Sequence, residues 1–132
     1  MNVRPLQPHS LCIAIADKLR ELILAHRLPP GSAVNDGDLA REFGVSRTPV
    51  REAMKLLCHE GLLTAQARRG MSVTVLSPAQ IEEARRLHAL LGELLQRHDS
   101  ENTPQELTRS MHGLAQARLQ LAQGSDPAEN QF

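Results

Sequence analysis

The chain has 132 residues, a length that suits one small domain with an appendage or one small two-part protein. Apolar residues make up 41% of the sequence and aromatics only 2%, so a core must be built from aliphatic side chains. Fifteen Lys and Arg balance fifteen Asp and Glu, and a zero net charge argues weakly against a nucleic-acid partner. Residues 1–76 nevertheless contain ten basic and seven acidic residues, whereas residues 77–132 contain five and eight, so a basic surface is still expected on the first half.

The N-terminal residues are polar and include two prolines, so no signal peptide is recognised. No apolar run reaches the length of a membrane-spanning helix, and a cytoplasmic protein is expected. Cys12 and Cys58 lie far apart without a CxxC pattern, so both are expected to be buried thiols rather than partners in a disulfide.

The first predicted element is a helix from Ser10 to Arg27, capped by Ser10. Its apolar stripe is formed by Leu11, Ile15, Leu19, Leu22 and Ile23. Lys18 and Arg20 flank the stripe and are expected to be solvated. The segment Leu28-Pro29-Pro30-Gly31 ends the helix, because proline cannot continue it and glycine tolerates unusual backbone angles.

A short strand at residues 32–34 and a helix from Asp36 to Phe43 are predicted next. Asn35 is expected to cap this helix, and Asp36 and Asp38 lie in its first turn, where the helix dipole favours negative charge.

The following helix begins after Ser46, whose hydroxyl can accept a hydrogen bond from a backbone N–H of the first turn. Pro49 falls within that turn, where a missing N–H does little harm. The basic face contains Arg47, Arg51 and Lys55, and the apolar face contains Val50, Met54 and Leu57. Such a helix, preceded by a short helix and a tight turn, can enter the major groove of DNA. On spacing alone, a solvated amphipathic helix explains the same pattern.

Two strands, at residues 62–66 and 71–75, are predicted after a helix end at Gly61, with a hairpin at Ala67-Arg68-Arg69-Gly70 between them. Two amphipathic helices then span residues 78–98 and about 103–124, the first capped by Ser77 with Pro78 at its first position. Two such helices bury their apolar stripes poorly alone, so they are expected to pack on the first domain or on a second copy.

The segment Gly44 to Ala53, GVSRTPVREA, closely resembles the recognition-helix signature of GntR-type transcriptional regulators. Leu28-Pro29-Pro30-Gly31 resembles the turn that precedes the helix-turn-helix of that family. Glu60-Gly61-Leu62-Leu63 resembles the entry to its wing, and Arg68-Arg69-Gly70 resembles the wing tip. The resemblance covers residues 11–75 and implies a winged-helix domain that binds double-stranded DNA.

Arg47 and Arg51 are the candidates for base contacts, since arginine binds guanine O6 and N7 in bidentate fashion. Ser46 and Thr48 would bind phosphates beside the exposed N–H groups of the helix start. The hairpin arginines are expected to reach phosphates or the minor groove, although such arginines are often only solubilising charge. The predicted DNA-binding residues are Ser46, Arg47, Thr48, Pro49, Arg51, Lys55, Arg68, Arg69 and Gly70.

Two departures from the family pattern stand out. The family commonly has an arginine in a Glu-Arg-Glu-Leu-like run before the turn, and Gly37 replaces it here, which predicts weaker binding or an altered sequence preference.

The rear half resembles the start of the helical effector domain of the FadR-like branch, but His88 and Leu91-Gly92 stand where that domain usually has Arg and Leu-Glu. Only two of its six or seven helices fit, so a truncated effector domain is expected, which argues against a small-molecule effector. The alternative is a short regulator whose two helices only dimerise, as in the YtrA-like branch.

His88, His98 and His112 lack the spacing of metal ligands, and no phosphate-binding loop or catalytic motif is visible, so neither a metal, a cofactor nor an enzymatic activity is expected.

The expected fold is α+β, mainly α: a winged helix-turn-helix at residues 10–76, two helices at 77–124 and a tail at 125–132. The expected function is a sequence-specific transcriptional regulator, a repressor that binds a pseudo-palindromic operator as a homodimer. The alternative is a truncated interaction module that pairs with a full-length paralogue or another protein and does not bind DNA alone.

Overall fold

The computed structural model describes residues 8–97 and 105–123. Its elements are α1 (Pro8–Leu24), β1 (Ala33–Val34), α2 (Asp36–Phe43), α3 (Arg47–His59), β2 (Leu63–Gln66), β3 (Gly70–Val73), α4 (Pro78–Arg97) and α5 (Glu106–Gln123). Contacts divide the chain into two compact units, Met1–Thr74 and Val75–Phe132. A helix-turn-helix followed by a small antiparallel sheet and then further helices confirms the predicted fold class.

The first helix differs from its prediction at both ends. It already includes Pro8, so Ser10 lies within the helix and is not its N-cap. It ends at Leu24 rather than Arg27, because His26 adopts a left-handed backbone (φ 61°). The N–H of Arg27 then reaches back to the Leu22 carbonyl at 2.9 Å, which closes the helix. Left-handed backbone at a non-glycine residue has no clear signal in a sequence.

The second helix agrees with its prediction. The side chain of Asn35 accepts a hydrogen bond from the N–H of Asp38 at 2.9 Å, and the helix spans Asp36–Phe43. Gly44 follows it in a left-handed conformation (φ 69°), and the N–H of Val45 donates to the Ala40 carbonyl at 3.0 Å. This glycine closure turns the chain directly into α3 and completes the predicted helix-turn-helix.

The start of α3 corrects one local prediction. Ser46 occupies the N-cap position, but its side chain makes no capping hydrogen bond. A capping oxygen binds the N–H of the second or third helical residue, and the third residue here is Pro49, which has no N–H. The proline that suits a helix start therefore removes one of the two donors that the serine could have used.

The three strands form one antiparallel sheet in the order β1-β3-β2. Ala33 lies opposite Ser72, and Leu63 lies opposite Val73, so β3 is the central strand and pairs on both sides. The short strand predicted before α2 is therefore present, and it pairs with the hairpin. Pairing along β3 attaches the hairpin to the segment that leads into α2, which fixes its position relative to the helix-turn-helix.

The core of the first unit is aliphatic, as the composition requires. Its side chains with 0% exposure are Leu19, Ile23, Val50, Ala53, Leu57 and Leu62. Cys12 is buried, but Cys58 is only half-buried because it lies in the last turn of α3, so the expectation of two buried thiols is half right. Burial, with the charge of Glu52, raises the pKa of the Cys12 thiol.

Arg20 is paired rather than solvated, contrary to the sequence-based expectation. Its guanidinium donates to both carboxylate oxygens of Glu60, with Nε–Oε1 at 2.8 Å and Nη2–Oε2 at 2.6 Å, and it also donates to Asp17. Because Arg20 lies in α1 and Glu60 follows α3, this bidentate pair fastens the two helices 40 residues apart in sequence.

The second unit contains α4 and α5, which pack against each other. Ser77 and Gln80 form a reciprocal capping box: the Gln80 N–H donates to the Ser77 hydroxyl at 3.2 Å, and the Ser77 N–H donates to Oε1 of Gln80 at 2.9 Å. This confirms the predicted start of α4. The predicted start of the last helix, at about residue 103, and the predicted tail at 125–132 lie outside the described residues.

Histidine rings meet between these two helices. The rings of His88 and His112 stack with centroids 4.2 Å apart and planes 21° from parallel. A Cβ at Gly92 would stand 3.4 Å from Nε2 of His112, so the glycine leaves room for this ring against α4. None of the helices within residues 8–97 and 105–123 combines the length and the hydropathy that a membrane-spanning helix requires.

Candidate nucleic-acid interface

Helix α3 has one buried face and one exposed, basic face. Val50, Ala53, Met54 and Leu57 are buried, so this side of the helix is fully used in the core. Arg47, Arg51 and Lys55 are all exposed, at successive turns of the neighbouring face. The spacing therefore separates core and surface as predicted, and it presents three cations in a row along one helix.

The N-terminal turn of α3 offers polar groups beside this row. Ser46 and Thr48 are exposed, and the hydroxyl of Ser46 is not used in a helix cap. Pro49 is buried, so its ring packs against the domain and does not present a surface to a partner. A helix start with exposed hydroxyl groups favours phosphate oxygens, which the helix dipole also attracts.

The tip of the β2–β3 hairpin contains Arg68, Arg69 and Gly70, all exposed. Arg68 has a left-handed backbone (φ 65°), and Gly70 has one as well (φ 81°). Glycine adopts this conformation without cost, whereas a residue with a Cβ does so at a cost of about 1 kcal/mol. The turn thus holds an arginine at a position where glycine would be favoured on conformational grounds.

A groove of about 320 Å³ separates α3 from the hairpin. Its floor is largely apolar and its rim is charged; the lining residues are Ala33, Val34, Asn35, Asp36, Arg51, Met54, Lys55, Arg69, Gly70 and Met71. Four of the predicted DNA-binding residues, from two separate elements, therefore surround one concave surface. Three of those four are cations, so the groove suits a polyanion that passes between helix and hairpin.

One acidic side chain in this groove was not predicted as part of the site. The carboxylate of Asp36, at the start of α2, accepts a hydrogen bond from Nε of Arg51 at 2.5 Å. The Arg51 contact is the main cause that holds the pKa of Asp36 below its ordinary value, and the Gly37 N–H and the charge of Arg47 act in the same direction. The only sequence signal was an acidic residue at a helix start; its partner lies 15 residues away and depends on how α2 crosses α3.

Gly37 has a specific neighbour as well. A Cβ built on this buried glycine would lie 2.9 Å from Nη2 and 3.2 Å from Cζ of Arg47. The guanidinium of Arg47 therefore lies directly over the glycine, in space that a side chain at position 37 would occupy. The first turn of α2 thus contacts both arginines that were predicted to contact bases: Asp36 accepts a hydrogen bond from Arg51, and Gly37 leaves space for the guanidinium of Arg47.

No metal centre is formed by the part of the chain that the structure describes: nowhere in it do three His, Cys, Asp or Glu side chains come close enough to hold a metal ion. The site consists of cations, hydroxyl groups and one paired carboxylate on an exposed surface. Such a surface can bind phosphates and base edges, which are the polar groups of duplex DNA.

Residues 13–73 match the family described as bacterial regulatory proteins, gntR family. Over 88 residues the chain is 36% identical to the uncharacterized HTH-type transcriptional regulator YdhC of Bacillus subtilis (strain 168), a match that covers 67% of this chain and 39% of that protein. It is 35% identical over 71 residues to the gluconate operon transcriptional repressor of Bacillus licheniformis, covering 54% of this chain and 29% of that protein. The chain thus spans less than half the length of either relative.

Among solved structures, a GntR transcriptional regulator from Rhodococcus sp. RHA1 superposes with a TM-score of 0.59 at 23% identity. The superposition covers 92% of this chain and 67% of that one. At this identity the likeness shows a shared fold. The relatives are transcriptional regulators and not enzymes, in agreement with the non-enzymatic function predicted from the sequence.

Proposed function

We propose that the chain is a member of the gntR family of bacterial regulatory proteins, whose family model matches residues 13–73, and that it is a sequence-specific DNA-binding regulator of transcription that reads the major groove with α3. Arg47 and Arg51 contact base edges, and Ser46 and Thr48 bind phosphates at the helix start. Lys55 and the hairpin arginines, Arg68 and Arg69, bind the backbone of the same site.

The observation that supports this function best is the groove between α3 and the hairpin. Cations from the helix (Arg51, Lys55) and from the hairpin (Arg69) line one concave surface with an apolar floor. A sugar-phosphate strand has the matching properties, since its phosphates are anionic and its sugar edges are largely apolar. We propose that one strand of the duplex passes through this groove while α3 enters the major groove beside it. Gly70 gives the strand close access to the turn, and Pro49, being buried, shapes the helix start instead of touching DNA.

The proposed regulator acts as a homodimer on an operator with two-fold symmetry. One recognition helix reads only a half-site, and two copies related by a two-fold axis read two half-sites about one helical turn apart.

Repression is the proposed mode, because a bound dimer excludes other proteins from the DNA that it covers, and the gluconate operon relative is named a repressor. The two helices of the second unit correspond in this proposal to the first helices of a FadR-like domain. The interaction-module alternative is not favoured, since the relatives are named as regulators of transcription.

Selection from a random duplex pool tests the function and requires no known operator sequence. The purified chain is immobilised, and bound duplexes are recovered at about 0.15 M salt over several rounds. The proposal predicts enrichment of one sequence made of two inverted half-sites, and light scattering of the free chain should give the mass of a dimer. Recovery of sequences with no common motif would contradict sequence-specific binding, and a monomer both free and on the selected duplex would contradict the dimer.

A further inference from the structure

Asp36 is the acidic member of a cationic surface. It lies in the first turn of α2, outside the helix that is proposed to enter DNA, yet it lines the same groove as Arg51, Lys55 and Arg69. A carboxylate in such a place repels the phosphates of any duplex, whatever the sequence. An acid that weakens binding to every sequence needs a compensating role if the site is to work.

Its contact with Arg51 supplies that role. The Asp36 carboxylate accepts a hydrogen bond from the Nε–H of Arg51, with Oδ2 and Nε 2.5 Å apart. The two terminal amino groups of the guanidinium are not used in this contact and can donate to another acceptor. The Asp36 side chain is 24% exposed and the Arg51 side chain 58%, so the carboxylate lies at the base of the arginine and the guanidinium projects outward. Arginine has a flexible stem, and a bond at Nε fixes the plane in which the terminal groups lie.

A fixed guanidinium plane changes sequence preference more than affinity. An unrestrained arginine can bind any phosphate or base acceptor nearby, whereas one held in a single orientation binds best where O6 and N7 of a guanine match its fork. The same bond reduces the rotamer freedom that Arg51 must lose on binding its base. Orientation therefore favours the correct sequence, while the negative charge disfavours all sequences alike.

We propose that Asp36 is a positioning residue that sets the sequence preference of this site by orienting Arg51. The proposal rests on the proposed function, in which Arg51 reads a base. Removal of the carboxylate should strengthen binding to unrelated DNA and weaken the preference for the selected sequence. A residue that merely stabilised the fold would weaken both.

Asp38 provides a matched control in the same turn. It has the same charge, is exposed, and pairs with Arg41 of its own helix instead of with an arginine of α3. Asp36→Ala and Asp38→Ala thus remove the same charge from the same helix start, and only the first frees Arg51. Thermal melts of both variants establish that each is folded at the temperature of the binding measurement.

The test is fluorescence anisotropy of the full chain on the selected duplex and on a scrambled duplex of equal length. The ratio of the two affinities should fall roughly 5-fold or more in Asp36→Ala, a fraction of the discrimination that one bidentate arginine supplies. In Asp38→Ala both affinities should rise together and the ratio should stay as in the wild type. In an Arg51→Ala background, adding Asp36→Ala should leave the ratio unchanged, because there is no arginine left to orient.

Each outcome is decisive. If the wild type prefers the selected duplex and Asp36→Ala keeps the full preference, the positioning role is overturned while the proposed function stands. An equal loss of preference in Asp38→Ala would also overturn it, since the effect would then come from charge alone. If the wild type itself does not distinguish the two duplexes, the proposed function fails and the positioning role fails with it.

Discussion

Arg68 combines an unfavourable backbone conformation with an exposed, charged side chain. Its φ of 65° lies in the region that disfavours side chains, while its guanidinium is exposed at the hairpin tip. Strain at an exposed arginine points to a function for the side chain rather than to packing. The neighbouring Arg69 has the same charge without a positive φ, so the two arginines can be compared directly.

Arg68→Gly should therefore stabilise the fold by up to about 1 kcal/mol, because glycine adopts this conformation without strain. The same change should weaken DNA binding and lower the slope of log affinity against log salt by about 1, the loss of one phosphate contact. Chemical denaturation and anisotropy measure the two effects. Arg69→Gly is the control: it should weaken binding similarly but lower stability. Equal destabilisation by both substitutions would contradict the strain.

Asp36 gives a prediction that depends on pH. Its pKa lies below the ordinary value chiefly because Arg51 donates to it. A lowered pKa in the folded state means that the pairing is fully present above the ordinary value and is lost only as the pH falls through the lowered one. Titration of the Asp36 carboxyl by NMR should show this, and in Arg51→Ala the pKa should rise toward the ordinary value of about 3.9. An unchanged pKa in that variant would contradict the pairing.

At the scale of elements, most of the fold could be predicted from local chemistry. Asn35, Gly44 and Ser77 mark helix ends by rules that depend on a few neighbouring residues, and α2, α3 and α4 begin where these rules predict. The end of α1 could not be predicted, because His26 replaces the glycine that usually marks a left-handed closure. The missing cap at Ser46 was only partly predictable, because Pro49 lacks one of the two possible donor N–H groups while Thr48 retains the other.

Some features of the candidate site could likewise be predicted from local sequence, and others could not. The cationic face of α3 follows from four-residue spacing alone, and its exposure is as predicted. The contacts of Asp36 with Arg51 and of Gly37 with Arg47 depend on the crossing of two helices. That geometry is set by core packing over the whole unit, which a pattern within one segment does not contain.

The link between α1 and α3 gives a prediction at this scale. Arg20 and Glu60 form a bidentate, half-buried pair, so Arg20→Met should lower the free energy of unfolding by about 1–2 kcal/mol. Lys18→Met, an exposed site on the same helix, should change it by less than about 0.5 kcal/mol. Urea denaturation of both variants measures the difference. Equal, small effects would contradict a role for the pair in fastening the helices.

At the scale of the whole molecule, zero net charge coexists with a localised cationic surface. The ten basic residues of the first 76 include all the exposed cations of α3 and of the hairpin tip. Acidic residues are in excess in the remainder, so the total charge conceals the site. Distribution, not the sum, determines whether a polyanion is bound.

The central claim is that α3 reads DNA sequence through Arg51, and one measurement tests it most directly. Anisotropy titrations compare the wild type, Arg51→Ala and Arg85→Ala on the selected and scrambled duplexes at two salt concentrations. Arg85 is the control because it is an exposed arginine of α4, in the second unit, paired with Glu82. Arg51→Ala should lose about 1–3 kcal/mol on the selected duplex and much less on the scrambled one, while Arg85→Ala should match the wild type. Equal affinities of the wild type and Arg51→Ala for the selected duplex would contradict the claim.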